Sequence, residues 1–350
     1  MSSLNVSITG ALPGGLKFTG DNRTVQPRPD DQASRLRSMV DAMNGVGAPA
    51  PQPPRVAAAP APERRCPVVS ITSGKGGVGK TSTSVNLAIA LTELKLRATL
   101  LDADLGLANA DVLCGMTPTT RLDAVVQQAK ADPLVYGHNP PRRSLATIAI
   151  DAPGGFRLVP GSVGISRMAN LPAQQREIIL RGLSELEADS DVVLVDTGAG
   201  LSDSVTTFAA AADLTLVVAT PEPTSIADAY AMIKAVAHLR AAKAPGTGFR
   251  TAIVINQARN PTEGQAVHAR LAATAKRFLG IEPPLLGVIP QDDVVPASVR
   301  LRKPVLLHAP TSRVAKDLRT LSVELAHLLG VQKKPVEQPA KRGLFGFLRK

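Results

Sequence analysis

Val68-Val69-Ser70-Ile71-Thr72-Ser73-Gly74-Lys75-Gly76-Gly77-Val78-Gly79-Lys80-Thr81 is the stretch on which the fold turns. A short β-branched, apolar run enters a glycine-rich loop, and Ser82–Leu94 leaves it with helical composition. Strand, loop and helix in that order are the context that the pattern GxxxxGK[ST] requires. Glycines at 74, 76, 77 and 79 let backbone N–H groups turn inward around a phosphate chain, and the helix N-terminus adds its positive end. Gly74 through Ser82 are therefore the candidate phosphate cradle. Lys80 is placed to reach the β- and γ-phosphates, and the Thr81 hydroxyl to ligate Mg²⁺.

Working outward, apolar runs alternate with helical stretches from Pro67 onward. Strands are expected at Val68–Thr72, Ala98–Leu101, Arg157–Val159, Val192–Val195, Thr215–Ala219, Thr251–Ile255 and Leu285–Ile289. Helices are expected at Lys80–Leu94, Pro172–Glu187, Ser225–Ala241, Glu263–Phe278 and Ser312–Leu329. That alternation predicts an α/β domain over residues 66–330: a mostly parallel sheet with helices on both faces. Residues 1–65 are rich in Pro, Gly, Ser and Ala, as befits a linker, but Asp30–Asn44 carries Leu36, Met39, Val40 and Met43 at helical spacing. Residues 331–350 read as a second linker ending in KRGLFGFLRK.

Two further carboxylate groups converge on the loop in this reading. The strand at Ala98 ends Leu101-Asp102-Ala103-Asp104, and alternation puts both aspartates on one side if the strand continues through them. Val192-Val193-Leu194-Val195-Asp196 leads into Thr197-Gly198-Ala199-Gly200, an acid at the carboxyl end of a parallel strand, where ligands of such sheets collect. Paired carboxylates there repel one another unless a cation joins them.

Lys75, directly after the first glycine, makes the loop KGGVGKT, the deviant Walker A form, and the chain here resembles the MinD/ParA family of ATPases. The resemblance implies a SIMIBI-type, MinD-like P-loop fold that uses ATP and Mg²⁺ with slow, switch-like hydrolysis. It implies that Lys75 crosses a homodimer interface to the partner's nucleotide, with Lys75, Lys80 and Asp104 as the catalytic set. By the same resemblance Thr81, Asp102 and Asp196 serve the metal, Asp104 positions or deprotonates the hydrolytic water, and Asn256 reads the adenine edge. Asp292 falls where a second nucleotide-side element is found.

DADLGLAN, DTGAGLS and TPEPTSIADAYAMIK (Thr220–Lys234) resemble most closely the FlhG/FleN branch, the MinD-like regulators of flagellar number and placement. The element DDQASRLR matches that branch's N-terminal activator of the SRP-type GTPase FlhF, which implies contact through Asp31, Gln32 and Leu36. Leu344, Phe345, Phe347 and Leu348, flanked by Lys341, Arg342, Arg349 and Lys350, resemble the MinD-type tail and imply an anionic membrane surface as partner. One such tail is marginal, whereas two held together in a dimer gain through effective concentration.

Composition bounds the rest. The formal charge is +11 over 350 residues, so an anionic partner is expected. Aromatic residues are 3% and Trp is absent, which disfavours base-stacking platforms. Cys66 and Cys114 have no His or Cys at metal-ligand spacing, against a metal-cluster or reductase role. No signal peptide or membrane span is legible, so a cytoplasmic protein bound peripherally to the inner face of the cytoplasmic membrane is expected. The alternatives are a ParA-like partitioning ATPase that binds DNA nonspecifically and a MinD-like regulator of the division site.

Overall fold

A computed structural model describes residues 66–131, 144–162, 171–243 and 250–331, all within one unit, Arg64–Lys350. The expected activator element at Asp30–Asn44 and the tail at Lys341–Lys350 lie outside the described residues.

Eight strands form one sheet: β1 (Val68–Ser73), β2 (Ala98–Ala103), β3 (Ile150–Asp151), β4 (Arg157–Val159), β5 (Val192–Ala199), β6 (Leu214–Ala219), β7 (Thr251–Ala258) and β8 (Leu285–Pro290). Their order is β3-β4-β2-β5-β1-β6-β7-β8, and every pair is parallel except β3 with β4. The expected parallel α/β domain is what forms, with the strand of the glycine-rich loop near its middle. β3, two residues long, has no signature of its own in the sequence.

Alternation along the strands sorts the core onto two faces. Val192 and Leu194 of β5 join Ile71, Leu100 and Leu216 on one side, while Val193 and Val195 join Leu101 and Val159 on the other. The first side is covered by α1 (Lys80–Glu93), α2 (Ala110–Leu113), α10 (Val305–His308) and α11 (Arg313–Leu329). The second is covered by α3 (Leu122–Ala131), α4 (Leu145–Ile148), α5 (Ala173–Asp189), α6 (Asp203–Ala211), α7 (Pro223–Lys243) and α8 (Pro261–Leu279). A short α9 (Val294–Arg300) follows β8. Strands buried on both faces need continuous apolar runs, which is why β1, β2, β5 and β6 are legible in the sequence.

Helix ends follow local chemistry. Asn260 accepts from the Glu263 N–H at 2.9 Å, Pro261 opens α8, and Gly280 closes it at φ 69°. Ser312 caps α11, which ends on Gly330 at φ 68°. Helices α2, α3, α4, α6, α9 and α10 add to those expected from the sequence. For α6 the signal is present: Ser202 before Asp203, then Val205, Phe208 and Ala209 at helical spacing.

Candidate functional site

The carboxyl ends of β1, β2 and β5 meet at one place, because these strands are neighbours in the sheet. β5 lies between the other two, so Asp196 is opposite Ile71 on one side and Asp102 on the other. Lys80, the first residue of α1, sends its ammonium into this corner, where Nζ is 3.1 Å from Asp196 Oδ1. Both groups are buried. Ser84, one turn along α1, donates to the same oxygen at 2.9 Å. Asp196 Oδ2 has no partner.

Asp102 sits beside this pair and does a second task. Its Oδ1 accepts from the Asp104 N–H at 3.2 Å, and its Oδ2 accepts from the N–H groups of Asn109 and Ala110, each at 3.0 Å. One carboxylate thus ties both ends of the loop 104–109 and the start of α2. Burial, and then the Asp196 charge, push the Asp102 carboxyl up to about 7 against a backbone hydrogen-bond contribution of opposite sign. Two neighbouring buried carboxylates share one lysine, and one oxygen is left unbonded. A hard divalent cation prefers oxygen donors and removes that imbalance, so the residues present fit Mg²⁺.

A raised carboxyl pKa has a definite sign in stability. Below about pH 4 this group is protonated in both folded and unfolded chains; between about 4 and 7 only the folded chain keeps its proton; above 7 the full cost of the buried charge is incurred. In nucleotide-free protein, the stability difference between wild type and Asp102→Asn is therefore expected to fall as pH rises from about 4 to about 7. Urea unfolding across that range, with and without Mg-nucleotide, measures it; a flat difference would contradict the assignment.

Asp104 is half-buried at the tip. Its Oδ1 accepts from Gly106 and Leu107 N–H groups at 3.3 and 3.1 Å, and a Cβ at Gly198 would lie 3.5 Å from it. The two Asp-bearing loops are thereby in register. Leu107 and Leu201, one on each loop, are among the exposed large apolar side chains.

The loop itself is braced from below. Asn256 donates from Nδ2 to the Val78 carbonyl at 2.7 Å and accepts from the Gln257 N–H at 2.9 Å. Gln257, at φ 57°, donates from Nε2 to the Gly77 carbonyl at 3.2 Å. A Cβ at Gly79 would meet Asn256 Nδ2 at 2.3 Å, so this glycine is required by the approach as well as by its φ of 85°. Gly74 is required for another reason: a Cβ there would lie 2.1 Å from the Asp228 carbonyl of α7. Asp292 Oδ1 accepts from the Val294 N–H at 2.9 Å and so organises the start of α9.

Lys80, Asp102, Asp104 and Asp196 come together around one corner, and Lys75 stands apart from them. Its ammonium is paired with Glu222 and bonded to Thr224 Oγ1 at 2.9 Å, at the start of α7. Ser84, Gln257, Glu222 and Thr224 are the participants that sequence reasoning misses. Ser84 is findable, one helical turn beyond Lys80. Glu222 lies 147 residues from Lys75, and although it falls within the stretch Thr220–Lys234, nothing local marks it as the partner of that lysine.

Residues 69–305 match the CobQ/CobB/MinD/ParA nucleotide-binding domain. Over 255 residues the chain is 40% identical to the antiactivator FleN of Pseudomonas aeruginosa, covering 73% of this chain and 84% of that protein. Over 288 residues it is 32% identical to the flagellum site-determining protein YlxH of Helicobacter pylori, covering 81% and 88%. The solved cell division ATPase MinD of Pyrococcus furiosus superposes with a TM-score of 0.59 at 22% identity, covering 75% of this chain and 99% of that one.

Proposed function

The chain belongs to the CobQ/CobB/MinD/ParA nucleotide-binding family, and on that premise we propose that it is a slow, switch-type ATPase that dimerises on ATP and regulates flagellar number and placement. The observation that carries this reading is the corner of Lys80, Asp102 and Asp196 under a KGGVGKT loop, in a chain 40% identical to FleN. Bound Mg²⁺ would neutralise charge on the phosphate oxygens. Thr81, Asp102 and Asp196 would hold it, Asp196 through the oxygen that is now unbonded. The backbone of Gly74–Thr81 cradles the phosphates, with Ser82 next along α1. Lys80 holds their β/γ end, and Asp104 orients the attacking water and takes its proton. Asn256 and Asp292 are assigned to the base side of the nucleotide.

In the dimer Lys75 leaves its own Glu222 for the phosphates of the second copy, so each site is finished only when two copies meet. The outputs in this reading lie outside the described residues: stimulation of an FlhF-type GTPase through Asp31, Gln32 and Leu36, and peripheral attachment to the inner face of the cytoplasmic membrane through Leu344, Phe345, Phe347 and Leu348. Among the described residues no helix is long and apolar enough to cross a membrane. Those residues carry nearly as many Asp and Glu as Lys and Arg, so most of the +11 excess lies on the remaining segments. That distribution favours attachment by a basic tail over nonspecific DNA binding by the ATPase body. A MinD-like role at the division site shares all of the site chemistry; the higher identity to FleN favours the flagellar reading over it.

One set of measurements tests the proposal. Size exclusion with ATP and ADP should give dimer and monomer respectively. Deletion of Lys341–Lys350 should release the ATP form from anionic vesicles without changing nucleotide affinity. A peptide spanning Asp30–Asn44 should raise the GTPase rate of the FlhF-type partner. Monomer in ATP overturns the switch, continued vesicle binding overturns the anchor, and an unchanged GTPase rate overturns the partner.

A further inference from the structure

The loop that carries Asp104 is backed by a wall to which the chemistry above gives no task. β4 is the neighbour of β2 on the side away from β5, with Leu101 opposite Val159, so the chain leaving β4 at Pro160 passes beside Asp102. Gly161 is pressed against it. A Cβ there would lie 2.6 Å from the Asp102 carbonyl oxygen and 2.6 Å from Ala108 Cβ. Arg121, the residue before α3, holds this wall with a divided fork: one arm donates to the Gly161 carbonyl at 3.2 Å and the other to Asp111 Oδ2 at 2.5 Å. The Leu122 N–H donates to the Pro160 carbonyl at 2.9 Å, fastening the start of α3 to the same exit. Asp111 is buried in α2, the helix that opens at the Ala110 N–H held by Asp102.

A guanidinium that served only to neutralise Asp111 would commonly close on both carboxylate oxygens. Here Asp111 Oδ1 is buried without a partner, and the second arm goes to Gly161 instead. That division joins α2, α3 and the exit of β4 around the one carboxylate that ties loop 104–109. We propose that Arg121 is a positioning residue for hydrolysis: by holding α2 and Gly161 together, it fixes where Asp102 sits and, through that loop, where Asp104 meets the attacking water. This rests on the ATPase reading above. Arg121 acts through Asp111 and Gly161 and not on the nucleotide, so its loss should be felt in the rate of the chemical step. A misplacement of about 1 Å at a reacting group costs about a hundredfold.

Three readouts test it: phosphate release at saturating ATP, ATP affinity, and the fluorescence anisotropy of Leu107→Trp in nucleotide-free protein, a single reporter because the chain has no tryptophan and Leu107 is 77% exposed. Arg121→Met is expected to slow release by about a hundredfold and to lower the anisotropy of the loop reporter. ATP affinity should be nearly unchanged, because Asn256 and Gln257 brace the glycine loop from β7. Arg121→Lys keeps a charge opposite Asp111 and should recover part of the rate, and Gly161→Ala should slow turnover with no charge altered. Combining Arg121→Met with Asp111→Asn removes the buried charge that the single variant strands, so urea stability should return toward wild type while turnover stays slow. Recovery of turnover along with stability would make the pair a fold contact and overturn the proposal. Unchanged turnover in Arg121→Met, or an equal loss of ATP affinity, would also overturn it. If wild type itself releases no phosphate, the ATPase reading falls and this role with it, a result distinct from an active wild type whose Arg121→Met variant is equally fast.

Discussion

Asp104→Ala is expected to bind ATP, collect as a dimer and release phosphate at least about a hundredfold more slowly than wild type, the scale of a lost general base. The structure explains why the dimer should survive. The side-chain hydrogen bonds of Asp104 go to the tip of its own loop, at Gly106 and Leu107, while both ends of that loop are held by Asp102. Removing the tip carboxylate leaves the anchor in place. Asp104→Asn separates the two duties of the residue, because its amide oxygen still accepts from Gly106 and Leu107 but cannot take a proton. Equal slowing in both variants assigns the effect to chemistry; near-normal turnover in Asp104→Asn would reduce the residue to a loop tie. Phosphate release and size exclusion in ATP give the two readouts.

Lys75→Gln is the second large effect, and it acts on assembly. Its own pair is weak, since Lys75 and Glu222 are 36% and 60% exposed, and such pairs contribute about 0.2–1 kcal/mol. A charge-assisted contact to phosphate in a closed interface contributes about 1.5–3 kcal/mol. The exchange is therefore expected to run toward the dimer once triphosphate is present. Because the substitution removes this bond from both symmetric sites, and the weaker competing pair with it, it should weaken the ATP dimer by about a hundredfold while nucleotide binding by the monomer persists. Glu222→Gln should move the equilibrium the other way, by about three- to tenfold, because two competing pairs disappear. Sedimentation equilibrium in an Asp104→Ala background measures both without hydrolysis. A weaker dimer in Glu222→Gln would mean that the carboxylate belongs to the interface and does not compete with it.

The parts of this fold that can be read in advance are those whose chemistry is local. A strand buried on both faces announces itself, and so does a glycine loop that must curl around phosphate. Strand order is inaccessible, because it depends on which helix fills which groove; so the adjacency of Asp102 and Asp196 has to be seen. Asp102 is expected as a metal group from its place at a strand end, and its hold on the Asn109 and Ala110 N–H groups cannot be inferred from spacing. Asn256 is expected at adenine, and the structure engages its amide with the Val78 carbonyl, a contact across 178 residues. Short helices such as α2 and α10 escape a reading of the sequence because four residues carry no periodicity.

Gly74 touches the α7 backbone with no room for even a methyl group, and Thr72 donates from Oγ1 to Met232 Sδ one turn further along the same helix. Glu222 and Thr224, which perch Lys75, stand at that helix's head. A helix of 21 residues is a strut about 30 Å long. Its head, which carries the partners of the Lys75 ammonium, and its body, which Gly74 abuts, belong to one continuous rod, so a displacement imposed on α7 near Lys243 is expected to reach the Lys75 ammonium.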